Sequence, residues 1–133
     1  MKKITVITAL LVGLSVSSYG GRADIYIEEC NGGIAEMCQM AAQFLENERK
    51  SDEAKKYYIK AMDIMKEECS AGDVNACDNM GDFYAKGLGV KKSKAEAKKA
   101  YEKAVELSKR SCDKGDTDSC SMVDFIDMKL KKL

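Results

Sequence analysis

Residues 76–104, ACDNMGDFYAKGLGVKKSKAEAKKAYEKA, decide the fold of this chain. Small and apolar residues recur there at helical spacing in two groups, on either side of a glycine-rich connection. The first group stands at 77, 80, 81, 84 and 88, and the second at 97, 100, 101, 104, 107 and 108. Ser93 followed by Glu96 indicates a capping box at the start of the second group. The stretch therefore predicts a pair of packed helices.

An earlier part of the chain repeats this pattern. Residues 37–61 align with it, the first halves at a shift of 39 residues and the second halves at a shift of 43. Repeats of about this length predict a solenoid of helix pairs. We expect helices near residues 24–30, 35–48, 52–69, 74–86 and 94–112, and a terminal capping helix from about 117. The absence of proline also favours an all-α fold.

Six cysteines form three Cys-x7-Cys units, at 30 and 38, 69 and 77, and 112 and 120. No histidine or Cys-x2-Cys spacing accompanies them, so we predict no zinc site and no cofactor. In one continuous helix, residues eight apart are separated by about 12 Å along the axis, beyond the roughly 7 Å that a disulfide spans between Cα atoms. Each unit therefore needs a chain reversal, which its glycines allow. Asp73 and Asp116 stand where an N-cap should start the next helix.

Six cysteines allow 15 pairings, and this geometry favours bonds within each unit. We expect Cys30–Cys38, Cys69–Cys77 and Cys112–Cys120. The predicted fold is a short α–α superhelix of helix pairs that is stapled by disulfides.

The first 23 residues have the layout of a secretory signal peptide. A basic start precedes an apolar run over residues 4–14, and small residues follow, with cleavage expected after Gly20 or Ala23. Removal of Lys2, Lys3 and Arg22 leaves 19 basic and 22 acidic residues, a net charge of −3. We therefore expect an exported protein, periplasmic or secreted, that neither inserts in the membrane after signal removal nor binds nucleic acid. Residues 24–133 form the predicted repeat domain, with units at about 37–69 and 76–112 and a capping helix at 117–133.

The repeated stretches resemble the Sel-one-like repeat, a relative of the tetratricopeptide repeat. Its pattern is Ala-x3-Leu-Gly-x2-Tyr-x2-Gly-x-Gly-Val, followed by Lys-Ala-x2-Trp/Tyr-Tyr-x-Lys-Ala. Residues 76–104 match it with Glu96 in place of the first lysine, and residues 37–61 match it without the Gly-Val connection. Cysteine pairs eight apart at repeat junctions further resemble the Helicobacter cysteine-rich protein family, over essentially the whole chain after the signal peptide. In one departure from that family, seven residues separate each Lys-Ala from the next cysteine, which lengthens the second helices by nearly two turns.

Solenoids of this kind usually present an extended surface to another protein or peptide, and we predict such a binding module in the cell envelope or outside the cell. A cell-wall fragment is a further candidate partner. The candidate contact residues are non-core positions of the first helices: Gln39, Gln43, Asp78, Asp82 and Asp124. For any single one of them, a role as an ordinary solvated residue is the simpler interpretation.

The resemblance also implies a rival function, because members of the cysteine-rich family are described as penicillin-binding or weakly β-lactam-hydrolysing. Residues 111–114 fit the Ser-x-x-Lys pattern, but neither Ser-Asp-Asn nor Lys-Thr-Gly accompanies them. The lack of histidine excludes Ser-His and Cys-His nucleophiles. We predict no catalytic residue, and a weak β-lactamase-like hydrolase stays the alternative.

Overall fold

The computed structural model describes residues 23–133 and is all-helical over that range. The predicted signal peptide falls almost entirely on residues 1–22, outside the described residues. The helices are α1 (Ala23–Asn31), α2 (Ala35–Asn47), α3 (Ser51–Ser70), α4 (Val74–Lys86), α5 (Lys94–Cys112) and α6 (Thr117–Lys132). Each observed end lies within one residue of the expected one. The predicted all-α fold is confirmed.

Side-chain caps start three of the helices. The Ala76 N–H donates to Asp73 Oδ1 at 3.0 Å, and the Asp118 N–H donates to Asp116 Oδ1 at 3.1 Å. The Glu96 N–H donates to Ser93 Oγ at 3.2 Å. The expected capping box is only half formed, because the Ser93 N–H donates to the carbonyl oxygen of Tyr84 and the Glu96 carboxylate pairs with Lys99.

A disulfide joins the two cysteines of every Cys-x7-Cys unit. The bonds Cys30–Cys38, Cys69–Cys77 and Cys112–Cys120 join Cα atoms 4.5, 4.8 and 4.7 Å apart. A glycine with positive φ stands five residues before each second cysteine and reverses the chain: Gly33 at 95°, Gly72 at 101° and Gly115 at 97°. The disulfides therefore fasten the end of one helix to the start of the next, and the predicted stapled solenoid is confirmed.

The helices pack in chain order, each against the next. Tyr58 of α3 meets Phe83 of α4 edge-on, with ring centroids 5.8 Å apart, so an aromatic contact joins the two repeats. The lengthened second helices also contribute to the core. Met62 and Met65 of α3 and Val105 of α5 are all buried, so the added residues extend the packed interface.

Candidate functional site

The candidate contact residues Gln39, Gln43, Asp78 and Asp82 occupy matching positions of the first helices. A shift of 39 residues carries the pair on α2 onto the pair on α4, and a further shift of 43 residues reaches Ser121 and Phe125 on α6. Within each helix the two positions are four residues apart, about one turn. We call this set of six residues the first-helix row.

Asp78 and Asp82 are engaged inside the molecule. Lys129 Nζ of α6 donates to both carboxylate oxygens of Asp78 at 2.8 Å and to Asp82 Oδ2 at 3.1 Å. The Tyr101 hydroxyl of α5 donates to Asp82 Oδ1 at 2.5 Å. Only 8% of the surface of Asp78 is exposed. These two carboxylates tie α4 to α5 and α6, and the view of Asp78 as a solvated contact residue is corrected.

Burial controls the ionisation of this cluster. Burial raises the pKa of the Asp78 carboxyl above its ordinary value of 3.8, although the Lys129 ammonium opposes the change. Burial, together with the hydrogen bond to Asp82, also raises the pKa of the Tyr101 hydroxyl well above its ordinary value of 10.0. The Tyr58 hydroxyl, which donates to Glu46 Oε2 at 2.8 Å, has a raised pKa for the same two reasons. Both tyrosines therefore remain hydrogen-bond donors at neutral pH.

The rest of the first-helix row faces solvent. Gln43 is exposed and Gln39 is half-buried. Phe125 exposes 47% of its surface, and its ring centroid lies 4.8 Å from Lys129 Nζ. Sequence analysis missed Phe125, although its register with Gln43 and Asp82 would have identified it.

Asp124 is exposed but does not share the row. Its register on α6 corresponds to Gly81 of α4, which packs against Tyr101 of α5. The side of α4 that carries Gly81 is the one that faces the second helix of its repeat. The structure therefore brings Gln39, Gln43 and Phe125 into a common register and leaves Asp124 outside it.

The Ser-x-x-Lys tetrapeptide forms a helix end. Ser111 lies in the last turn of α5, and its carbonyl oxygen accepts from the backbone N–H groups of Lys114 and Asp116. No hydrogen bond between the Ser111 and Lys114 side chains is present in the part of the chain that the structure describes. Within residues 23–133, no group of three or more cysteine or acidic side chains is suited to a metal ion.

Comparison with known families agrees with this geometry. The model of the tetratricopeptide repeat family matches residues 35–66 and 74–111, which is more than half of the chain and covers α2–α3 and α4–α5. The chain belongs to the tetratricopeptide repeat family. No curated protein and no solved structure matches it. None of the helices over residues 23–133 has the length and apolar character of a membrane span.

Tetratricopeptide repeats generally mediate protein–protein interactions, so membership suggests a protein-binding module with a protein partner. Three disulfides within one small chain suggest an oxidising, exported location. The family and the bonds therefore suggest a disulfide-stapled helical module that binds a protein partner in an oxidising location.

Proposed function

We propose that this chain is an exported, cysteine-rich Sel-one-like repeat protein that binds another protein or peptide in the cell envelope or outside the cell. The observation that carries the proposal is the tandem tetratricopeptide match on a chain with a disulfide at every repeat junction. The signal-peptide layout of residues 1–23 supports export. The spacing of the cysteine pairs supports a place in the Helicobacter cysteine-rich protein family.

The binding face is the solvent-facing part of the first-helix row, without the internally paired Asp78 and Asp82. Phe125 offers an exposed aromatic anchor, the kind of side chain that carries much of the binding energy at protein interfaces. The amides of Gln39 and Gln43 offer both donors and acceptors to the backbone of an extended peptide. The ion pairs of Lys129 with Asp78 and Asp82 link α6 to α4 and so fix Phe125 relative to the rest of the row.

Affinity capture from an extract of the source cell envelope tests this function. The oxidised protein without residues 1–23 is the bait, and Phe125→Ala and Ile25→Ala are compared with it. Ile25 is the matched control, because it is an exposed apolar residue on α1, outside the row. We expect one protein to be enriched reproducibly by the wild-type bait and by Ile25→Ala, and to be lost with Phe125→Ala. Enrichment that is no greater than on a blank column contradicts the function.

The hydrolase alternative rests on the family resemblance alone. Nitrocefin hydrolysis by the purified protein, compared with Ser111→Ala, separates it from binding. We expect no turnover by either protein. Turnover that Ser111→Ala abolishes would establish the alternative.

A further inference from the structure

A groove of about 210 Å³ lies between α3 and α5, the second helices of the two repeats, and reaches down to α4. Its rim carries Lys66 of α3 with Lys99, Lys103 and Glu96 of α5. Its floor contains Met80 and Tyr84 of α4, both half-buried against the core. We call it the lysine groove. It shares no residue with the first-helix row.

Positive charge dominates the rim. Within residues 23–133, neither Lys66 nor Lys103 forms an ion pair. Lys99 pairs with Glu96 at 3.3 Å, but both side chains are well exposed, and such a pair exchanges readily for another partner. Three lysines against one glutamate give the rim a net charge of +2, whereas residues 24–133 together carry −3. The groove is therefore a positive site on a negative molecule, and it favours an anionic partner.

The size and floor of the groove limit what it can accept. Sites for small molecules usually enclose about 300–1,000 Å³, so a groove of about 210 Å³ suits one side chain of a larger partner. A methionine thioether and a tyrosine ring adapt well to an apolar or aromatic side chain. The lysine stems can lie along such a side chain while their ammonium groups reach past it.

We propose that the lysine groove binds an acidic peptide segment of the partner protein. One apolar side chain of that segment contacts Met80 and Tyr84. Flanking aspartate or glutamate carboxylates pair with Lys66 and Lys103, one on each wall of the groove. This inference rests on the proposed binding function, because it names the chemistry of one segment of the partner.

Fluorescence anisotropy with a labelled probe peptide tests the groove. The probe has a central phenylalanine flanked on both sides by glutamates, and a matched peptide carries glutamine at every glutamate position. The wild-type oxidised protein is compared with Lys66→Glu/Lys103→Glu. The control is Lys55→Glu/Lys91→Glu, which reverses two exposed lysines that line a different cavity and changes the net charge equally.

We expect the groove reversal to weaken binding of the glutamate peptide by about tenfold or more, and the control reversal by less than about threefold. The glutamine peptide should bind more weakly than the glutamate peptide. Equal weakening by the two reversals would show that binding depends on the net charge of the protein and not on the groove, and it would overturn the proposal. So would the absence of wild-type binding, or equal binding of the two peptides. Circular dichroism checks the fold, and Lys66→Gln/Lys103→Gln replaces any reversal that unfolds and should lose binding in the same way.

Two further measurements distinguish a peptide ligand from a general polyanion, and failure of the groove from failure of the binding function. In the first, dextran sulfate replaces the peptide. Binding of that polymer that is lost in Lys66→Glu/Lys103→Glu, without any binding of the peptide, would overturn the peptide assignment. The other repeats the envelope capture with Lys66→Gln/Lys103→Gln. Retention of the captured partner by this variant contradicts the groove and leaves the binding function standing, whereas a partner absent from every column contradicts the function itself.

Discussion

The ring of Tyr101 in α5 lies directly against the backbone of Gly81 in α4, in the space that a Cβ at residue 81 would need. This contact brings the two helices of the second repeat close together and positions the Tyr101 hydroxyl for its hydrogen bond with Asp82. Ala42 takes the equivalent position in the first repeat, where the Tyr58 hydroxyl donates to Glu46 instead. Both repeats thus have a small residue at this position, but the tyrosine hydroxyl of each repeat has a different carboxylate partner.

Gly81→Ala should destabilise the protein by about 1–3 kcal/mol, because the added methyl group forces the Tyr101 ring or the helices apart. Urea unfolding followed by circular dichroism measures the change. Combination with Tyr101→Leu should recover part of the loss, since the smaller side chain vacates the space. A Gly81→Ala protein as stable as the wild type would show that the contact is not a tight one.

Lys129→Met should lower the free energy of unfolding by about 1–3 kcal/mol at neutral pH, because it leaves the carboxylates of Asp78 and Asp82 without their cation. The exposed Lys131 on the same helix gives the control, and Lys131→Met should change stability by less than about 0.5 kcal/mol.

The deficit of Lys129→Met should shrink as the pH falls. The folded-state pKa of Asp78 is already raised by burial, and loss of the Lys129 ammonium raises it further. A carboxyl with a raised folded-state pKa stabilises the fold at pH values below its unfolded pKa, and that stability is lost as the pH rises through the folded pKa. Urea unfolding of the wild type, Lys129→Met and Lys131→Met at several pH values measures this trend. A loss of stability in Lys129→Met that grows on acidification would contradict the assigned network.

The Cys112–Cys120 disulfide should be the first to be reduced. Both of its cysteines are half-buried, whereas the four cysteines of the other two bonds are at most 4% exposed. Thiol–disulfide exchange needs access to the sulfur, so a mild reductant should reduce Cys112–Cys120 before the two buried disulfides. Alkylation of freed thiols over time, followed by mass spectrometry, gives the order. Simultaneous labelling of all six cysteines would instead indicate reduction through global unfolding.

The buried tyrosines should make the protein sensitive to alkali. Tyr58 and Tyr101 have folded-state pKa values raised above the ordinary 10.0, so the folded state holds their protons to higher pH than the unfolded state does. The stability that they contribute is present below about pH 10 and is lost as the pH rises further. Phenolate absorbance should show these two residues ionising only as the fold is lost. The variants Tyr58→Phe and Tyr101→Phe identify them, and ionisation of either in the intact fold would contradict the burial.

The fold was predictable because its signals are local. Glycines at the chain reversals and the capping residues Asp73, Ser93 and Asp116 mark the helix ends within the sequence itself. The prediction of a capping box was wrong in one half. The Ser93 N–H, which Glu96 was expected to bind, donates instead to the carbonyl oxygen of Tyr84 in the preceding helix. That competition depends on how the Gly87–Val90 connection folds back.

The candidate site was less predictable because its contacts are distant in sequence. Lys129 stands 51 residues from Asp78, and their pairing depends on the packing of α6 on α5 and of α5 on α4. Lys66 stands far from Lys99 along the chain, and only the packing of α3, α4 and α5 makes them rims of one groove. Helical periodicity correctly located Gln39 and Gln43 off the core, but it could not show which of the polar residues already have partners.

A non-reducing peptide map of the protein isolated from its natural source tests the central claim most directly, namely that an oxidised, exported chain is stapled at every repeat junction. Thiols are alkylated at lysis, so that the bonds present in the cell are the bonds observed. We predict that the chain begins at Gly21 or Asp24, that its mass is lower by six hydrogens than that of the reduced chain, and that the linked peptides join Cys30 to Cys38, Cys69 to Cys77 and Cys112 to Cys120. Alkylated cysteines, a crossed bond such as Cys38–Cys69, or a chain that retains residues 1–20 would contradict the account.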